Sequence, residues 1–130
     1  MTRTSGKPAQ HSLSVDPARL LVTLRLAGFM TPDDVERIAA EEQALVGTLG
    51  VPSGTHRFLI DARALDIQPG EVVALVQHVT DTVPLKPARL AIIARYGLNR
   101  MQARRVIGER EIGLFDGEDE ALAYLLADAT

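Results

Sequence analysis

The chain contains no cysteine, and aromatic residues make up only 4% of its 130 positions. The absence of cysteine excludes disulfides, thiolate nucleophiles, zinc–thiolate sites and iron–sulfur ligation. No apolar run approaches the roughly 20 residues that a membrane-spanning helix needs. The polar N-terminus also lacks the apolar stretch of a signal peptide. The sequence therefore predicts a cytoplasmic protein.

The overall charge gives no reason to expect a nucleic-acid partner. The chain has 14 basic and 17 acidic side chains, with a net charge of −3, and too few aromatic residues to interleave with bases. Its hydrophobic content of 46% and charged content of 24% are typical of a folded globular chain. We expect a flexible tail over residues 1–10 and a single domain over residues 11–130.

Turn signals and apolar runs predict an N-terminal antiparallel hairpin, three helix-to-strand repeats and a closing helix. The helix after Thr31 is best defined, because Thr31 is an N-cap residue and Pro32 suits the first helical position. The run 57–62 is typical of a parallel strand buried on both faces, with Asp61 at its carboxyl end. The fold class is α/β, a mixed sheet with about four helices. Strands are predicted at 11–15, 20–27, 57–62, 88–94 and 112–115, and helices at 32–49, 70–82, 98–108 and about 118–126.

Several segments occur in a recognisable order. The strand Phe58–Asp61 ends in an acid, a second apolar strand follows at Leu90–Ile93, and Leu114–Asp116 precedes an acidic cap and the helical segment Glu118–Leu125. Over roughly residues 13–126, this order resembles the SpoIIAA-like group of the STAS superfamily. The resemblance implies a regulatory binding module without enzymatic activity. Members antagonise anti-sigma factors, form cytoplasmic parts of anion transporters, or are likened to lipid-binding SEC14 domains.

In the anti-sigma antagonists, a serine at the start of the helix after the Asp-ended strand is phosphorylated, and the added charge breaks the partner interface. Residues 62–71 of this chain contain neither serine nor threonine. The sequence therefore predicts that the family's phosphorylation switch is missing here.

The predicted loop from Asp61 to Glu71 is the first candidate binding surface, because open α/β sheets bind partners beyond the carboxyl ends of their strands. We expect Asp61, Asp66, Gln68, Gly70 and Glu71 to contribute to it, and backbone amides at the helix start suit an anion. Two alternatives stay open. In the first, Asp66 and Gln68 only cap the helix; in the second, Asp66 and Glu71 imitate a permanently phosphorylated loop.

A second candidate is a group of arginines around the third helix: Arg95, Arg100 and Arg104, with Arg105 and Arg110. Guanidinium groups bind phosphate or an acidic partner well. The alternative is a solvated charged face with no partner.

The helix predicted at 70–82 carries an apolar stripe of Val72, Leu75, Val76 and Val79. This stripe either packs on the sheet or covers a hydrophobic cavity. We expect no metal and no cofactor. His11, His56 and His78 lack paired ligand spacing and are interpreted as surface or strand-end residues. The acids Asp33, Asp34, Glu41 and Glu42 are assigned to the start or the polar face of the first helix.

The sequence thus predicts a non-catalytic regulatory or protein-interaction module with an unidentified protein partner. A carrier of a small apolar or lipid molecule, held beneath the helix at 70–82, is the alternative and requires an enclosed apolar cavity. An enzyme with a site assembled from distant residues is the third hypothesis. A homodimer also stays open.

Overall fold

The computed structural model describes residues 8–108 and 112–127. Most of the predicted tail and Arg110 lie outside these residues. Within them, strands and helices follow the predicted order. The strands are β1 (Gln10–Asp16), β2 (Leu21–Gly28), β3 (Arg57–Leu65), β4 (Arg89–Ile93) and β5 (Gly113–Phe115). The helices are α1 (Pro32–Gly47), α2 (Gly70–Thr82), α3 (Leu98–Ile107) and α4 (Glu118–Leu126).

The five strands form one mixed sheet in the order β1-β2-β3-β4-β5. Strand β1 pairs antiparallel with β2, and the remaining pairs are parallel. A short 3-10 turn at Pro17–Arg19 joins β1 to β2, and Leu20 then adopts a left-handed conformation with φ 51°. The predicted hairpin followed by parallel strands is confirmed.

Helices α1, α2 and α3 cover one face of the sheet, and α4 covers part of the other. Successive strand residues point to opposite faces, so Phe58 joins the core beneath the three helices while Leu59 packs toward α4. The α4 side is the smaller core. Its buried members are Leu21, Leu59, Ala91, Ile93, Ala121 and Leu125.

Helix α1 begins with the predicted cap. The backbone N–H of Asp34 donates to the Thr31 hydroxyl at 3.2 Å, and the N–H of Thr31 donates to Oδ2 of Asp34 at 2.8 Å. This reciprocal capping box satisfies two amides of the first turn. The hydrogen bond from the Thr31 backbone and a second one from Arg37 lower the pKa of the Asp34 carboxyl.

Strand β3 is longer than the sequence predicts, because it continues past Ala62 to Leu65. The extra residues pair with the end of β2, where Gly28 lies opposite Leu65 after an irregularity between Arg25 and Ala27. The expectation that Asp61 ends the strand is therefore wrong. Asp61 lies in the middle of β3, and the connection to α2 is shorter than predicted.

Candidate functional site

The connection between β3 and α2 comprises only residues 66–69, and Gln68 is its buried centre. Oε1 of Gln68 accepts from the N–H of Met30 at 2.8 Å, and Nε2 donates to the carbonyls of Gly28 and Asp66 at 2.9 and 2.6 Å. The backbone of Gln68 also exchanges two hydrogen bonds with the side chain of Gln102 on α3. Gln68 therefore braces two loops and a helix.

The prediction that Asp66 and Gln68 cap α2 is wrong. The N-cap residue of α2 is Pro69, and no side chain caps that helix. Asp66 is half-buried, while Gly70 and Glu71 are exposed at the first turn of α2. Of the predicted loop surface, Gly70 and Glu71 are the members that face solvent most.

Asp61 belongs to a different surface from the other predicted loop residues. It lies on the α4 side of the sheet, where its carboxylate pairs with Arg63 at 2.8 Å and with Arg25 at 2.9 Å. Arg25 reaches further to Glu118 at the start of α4, at 2.7 Å. Hydrogen bonds from Arg63 are the main reason that the pKa of Asp61 is lowered. The four side chains form a cross-strand ion network.

The arginines of the second candidate site do not converge on one pocket. Arg95 donates to the backbone carbonyls of Arg63 and Leu65 at the end of β3. Arg100 pairs with Asp116 at 2.6 Å, and Arg104 is exposed on α3. Arg95 and Arg100 thus bind atoms of this chain, whereas Arg104 and Arg105 are exposed on α3.

A cavity of about 430 Å³ lies between the sheet and helices α1, α2 and α3. This volume falls within the range of about 300–1,000 Å³ typical of small-molecule sites. The predicted stripe on α2 contributes to its wall, so α2 encloses the cavity from one side. Its largely aliphatic wall includes Leu24, Ile38, Ile60, Val72, Val76 and Ile92.

The exposed residues of the cavity wall lie close together in the chain. They are Asp81, Lys86 and Ala88, at the end of α2 and in the segment that leads to β4. Because the other described wall residues are buried or half-buried, the cavity opens to solvent beside this segment. Helix α1 holds the segment in place, since the side chain of Gln43 exchanges two hydrogen bonds with the backbone of Leu85, at 2.9 and 3.0 Å.

Glu42 is the cavity residue that the sequence assigned wrongly. It was placed on the polar face of α1, but it is only 6% exposed and lines the cavity. Burial raises the pKa of its carboxyl. Helical spacing does place Glu42 on the buried face of α1, because it lies four residues after Ile38 and four before Val46, both of which are buried.

The three histidines do not form a site. His11 contacts Glu41 at 3.0 Å, His78 is exposed, and His56 is fully buried just before β3. Of the two interpretations given for His56, the surface position is wrong and the strand-end position holds, because β3 begins at Arg57. Over residues 8–108 and 112–127, no group of three or more potential metal-ligating side chains occurs. No helix in that part of the chain is both long and apolar enough to span a membrane.

Four exposed apolar residues, which we call the apolar patch, lie in the segments that follow the carboxyl ends of β3 and β4. It consists of Ile67, Tyr96, Leu98 and Met101, with exposed fractions of 38%, 78%, 59% and 62%. Ile67 precedes Gln68, and Met101 precedes its hydrogen-bond partner Gln102, which brings the loop and helix parts of the patch together. Clustered exposed apolar residues mark interaction surfaces more often than single ones do.

No family model and no curated protein sequence matches the chain. Solved structures do resemble it. An uncharacterised protein of the DUF3478 family from Shewanella loihica PV-4, described as having a SpoIIAA-like fold, superposes with a TM-score of 0.70 at 17% identity, over 96% of this chain and 98% of that one. An anti-sigma factor antagonist from Mycobacterium paratuberculosis gives a TM-score of 0.60 at 13% identity, over 89% and 94%. The chain therefore has the SpoIIAA-like fold that its sequence implied.

Proposed function

We propose that this protein is a non-catalytic cytoplasmic binding protein that holds a small, largely apolar molecule between the sheet and helices α1, α2 and α3. The observation that supports it is the aliphatic cavity of about 430 Å³. Protein interiors are close-packed and contain few voids larger than a water molecule. An apolar cavity of about 150 Å³ already accommodates benzene. The cavity here offers room for a molecule of two or more fused or linked rings, or for an acyl chain.

Filling the cavity should weaken the binding of an apolar probe. The uncharged fluorescent amine N-phenyl-1-naphthylamine should bind the wild-type chain saturably, with increased emission. Val76→Phe places a ring in the cavity from α2 and should weaken binding roughly tenfold or more, since overpacking costs about 1–3 kcal/mol. Native mass spectrometry of the purified protein gives an independent measurement of any co-purifying molecule.

Ala74→Phe is the matched control, because Ala74 is exposed on the opposite side of the same helix. It should leave the dissociation constant unchanged. Circular dichroism verifies that both variants fold. Absence of saturable binding to the wild type, or an equal loss in both variants, would contradict the proposed function.

A second candidate is a regulatory module that binds another protein. It is favoured by the apolar patch, and one of the structural neighbours is an anti-sigma factor antagonist. On this proposal, the patch and the adjacent exposed residues Gly70, Glu71 and Arg104 contact the partner. Because residues 62–71 contain no serine or threonine, any regulation of this contact does not use phosphorylation of that segment.

The double variant Leu98→Asn, Met101→Gln replaces the apolar centre of the patch. In affinity capture from a lysate of the source cell, it should therefore lose one protein that the wild type retains. Ala40→Gln on the exposed side of α1 serves as the control and should retain that protein. Capture is compared by quantitative mass spectrometry. Identical sets of captured proteins for the two variants would eliminate the patch as the docking surface.

A further inference from the structure

Glu42 occupies an unusual place for a carboxyl group. Among the described residues that line the cavity, it is the only buried acid, with 6% of its surface exposed. It lies in the aliphatic stripe of α1, between Ile38 and Val46. Buried polar groups in folded proteins nearly always have hydrogen-bond partners, because leaving one unpaired costs free energy. The partners of Glu42 therefore bear directly on what the cavity holds.

The orientation of the Gln43 amide determines which oxygen of Glu42 is already used. The carbonyl of Leu85 accepts from Nε2 of Gln43, and the N–H of Leu85 donates to Oε1 of Gln43. These two bonds assign the amide nitrogen and oxygen without ambiguity. Nε2 also donates to Oε1 of Glu42 at 2.8 Å. Oε1 of Glu42 is therefore an acceptor, and Oε2 has no hydrogen-bond partner among the described residues.

The surroundings of Glu42 favour its neutral form. Burial raises the pKa of the carboxyl, and Lys86, the cation in the described wall, makes no ion pair with it. In the neutral acid, the proton resides on Oε2, because Oε1 receives the amide hydrogen of Gln43. In this neutral form, the Glu42 side chain presents an O–H donor to the cavity.

We propose that the ligand of this cavity is an apolar molecule bearing one uncharged hydrogen-bond acceptor, a carbonyl or ether oxygen, which receives a hydrogen bond from Oε2 of Glu42. The inference rests on the proposed function, since it concerns the same cavity. It adds the chemical class of the ligand and the residue that orients it. An ammonium group, which only donates, suits the ionised carboxylate and not the neutral carboxyl.

Three probes of nearly equal shape test the inference. They are 2-acetonaphthone, which has a carbonyl acceptor; 2-ethylnaphthalene, its hydrocarbon counterpart; and 1-(2-naphthyl)ethylamine, which is a cation. The measured quantity is the affinity of the ketone divided by that of the hydrocarbon. This ratio should fall about fivefold in Glu42→Leu, the loss expected for one hydrogen bond. It should be retained in Glu42→Gln, whose amide can donate to the ketone while accepting from Gln43.

Each outcome separates the inference from the proposed function. An unchanged ratio in Glu42→Leu, or a wild-type protein that favours the amine over the hydrocarbon, would overturn the inference while leaving a binding cavity. A wild-type protein that binds none of the three naphthalenes would contradict the proposed function itself. Because Glu42→Leu removes a buried carboxyl, we expect it to fold, and Glu42→Gln provides a nearly isosteric second variant.

Discussion

Replacing Gln68 by leucine should lower the free energy of unfolding by roughly 2–4 kcal/mol, since each buried polar group left unpaired costs about 1–3 kcal/mol. The substitution removes the partners of the Met30 N–H and of the Asp66 carbonyl, whereas the Gly28 carbonyl keeps a hydrogen bond from the N–H of Asp66. Leucine is close to glutamine in size, so the loss reflects hydrogen bonding more than packing. Urea denaturation followed by circular dichroism measures it.

Two further variants separate the contributions around Gln68. Gln102→Leu breaks only the two bonds to the backbone of Gln68, at a half-buried position, and should cost less. Gln68→Glu keeps an acceptor for Met30 but places a buried carboxyl against the carbonyls of Gly28 and Asp66, and should cost at least as much as Gln68→Leu near neutral pH. If Gln68→Leu is as stable as the wild type, the bracing role assigned to this side chain is wrong.

Replacing His56 by phenylalanine should stabilise the protein, most clearly in mild acid. His56 is fully buried, and neither ring nitrogen has a hydrogen-bond partner among the described residues. An apolar ring of similar shape avoids this penalty, and we expect a gain of about 1 kcal/mol or more at neutral pH. Urea denaturation measures the free energy of unfolding of both proteins between about pH 5 and pH 8, a range that spans the ordinary pKa of histidine.

The pH dependence gives the sharper result. Burial lowers the pKa of His56 below its ordinary value of 6.5. Below pH 6.5, the unfolded chain therefore binds a proton at His56 that the folded chain does not bind. The free energy of unfolding of the wild type falls as the pH falls, until His56 in the folded chain is itself protonated. His56→Phe should lack this loss. Exposed His78 is the control, and His78→Gln should keep the wild-type slope. Parallel curves for wild type and His56→Phe would show that His56 does not titrate in this way.

Local signals in the sequence predicted the helices well. Thr31 and Pro32 predict the start of α1, and the apolar stripe that follows Gly70 predicts α2. These predictions succeed because helix caps and helical periodicity depend on residues within one or two turns. The end of β3 could not be predicted in this way. It depends on pairing with β2, more than 30 residues earlier in the chain.

The site residues show the same difference between local signals and contacts that form only on folding. Gln68 belongs to the predicted loop, but its partners come from Met30, Gly28 and α3, so its bracing role appears only once the chain is folded. Assigning Glu42 to the polar face is wrong because acids in a helix are usually exposed, whereas the spacing of Glu42 matches the apolar stripe. The arginine group stays a prediction as a binding site, and the sequence alone could not show that Arg95 and Arg100 bind atoms of this chain.

The division of the helices between the two faces has a consequence for amide hydrogen exchange. Strand β4 lies between β3 and β5 and is covered from both sides, with Ala91 and Ile93 fully buried. Its amides should exchange only through global opening, whereas α4 and the three-helix layer can open separately. A molecule bound in the cavity would then slow exchange in α1, α2 and α3 and leave α4 unaffected, so exchange in α4 would serve as an internal reference for ligand occupancy.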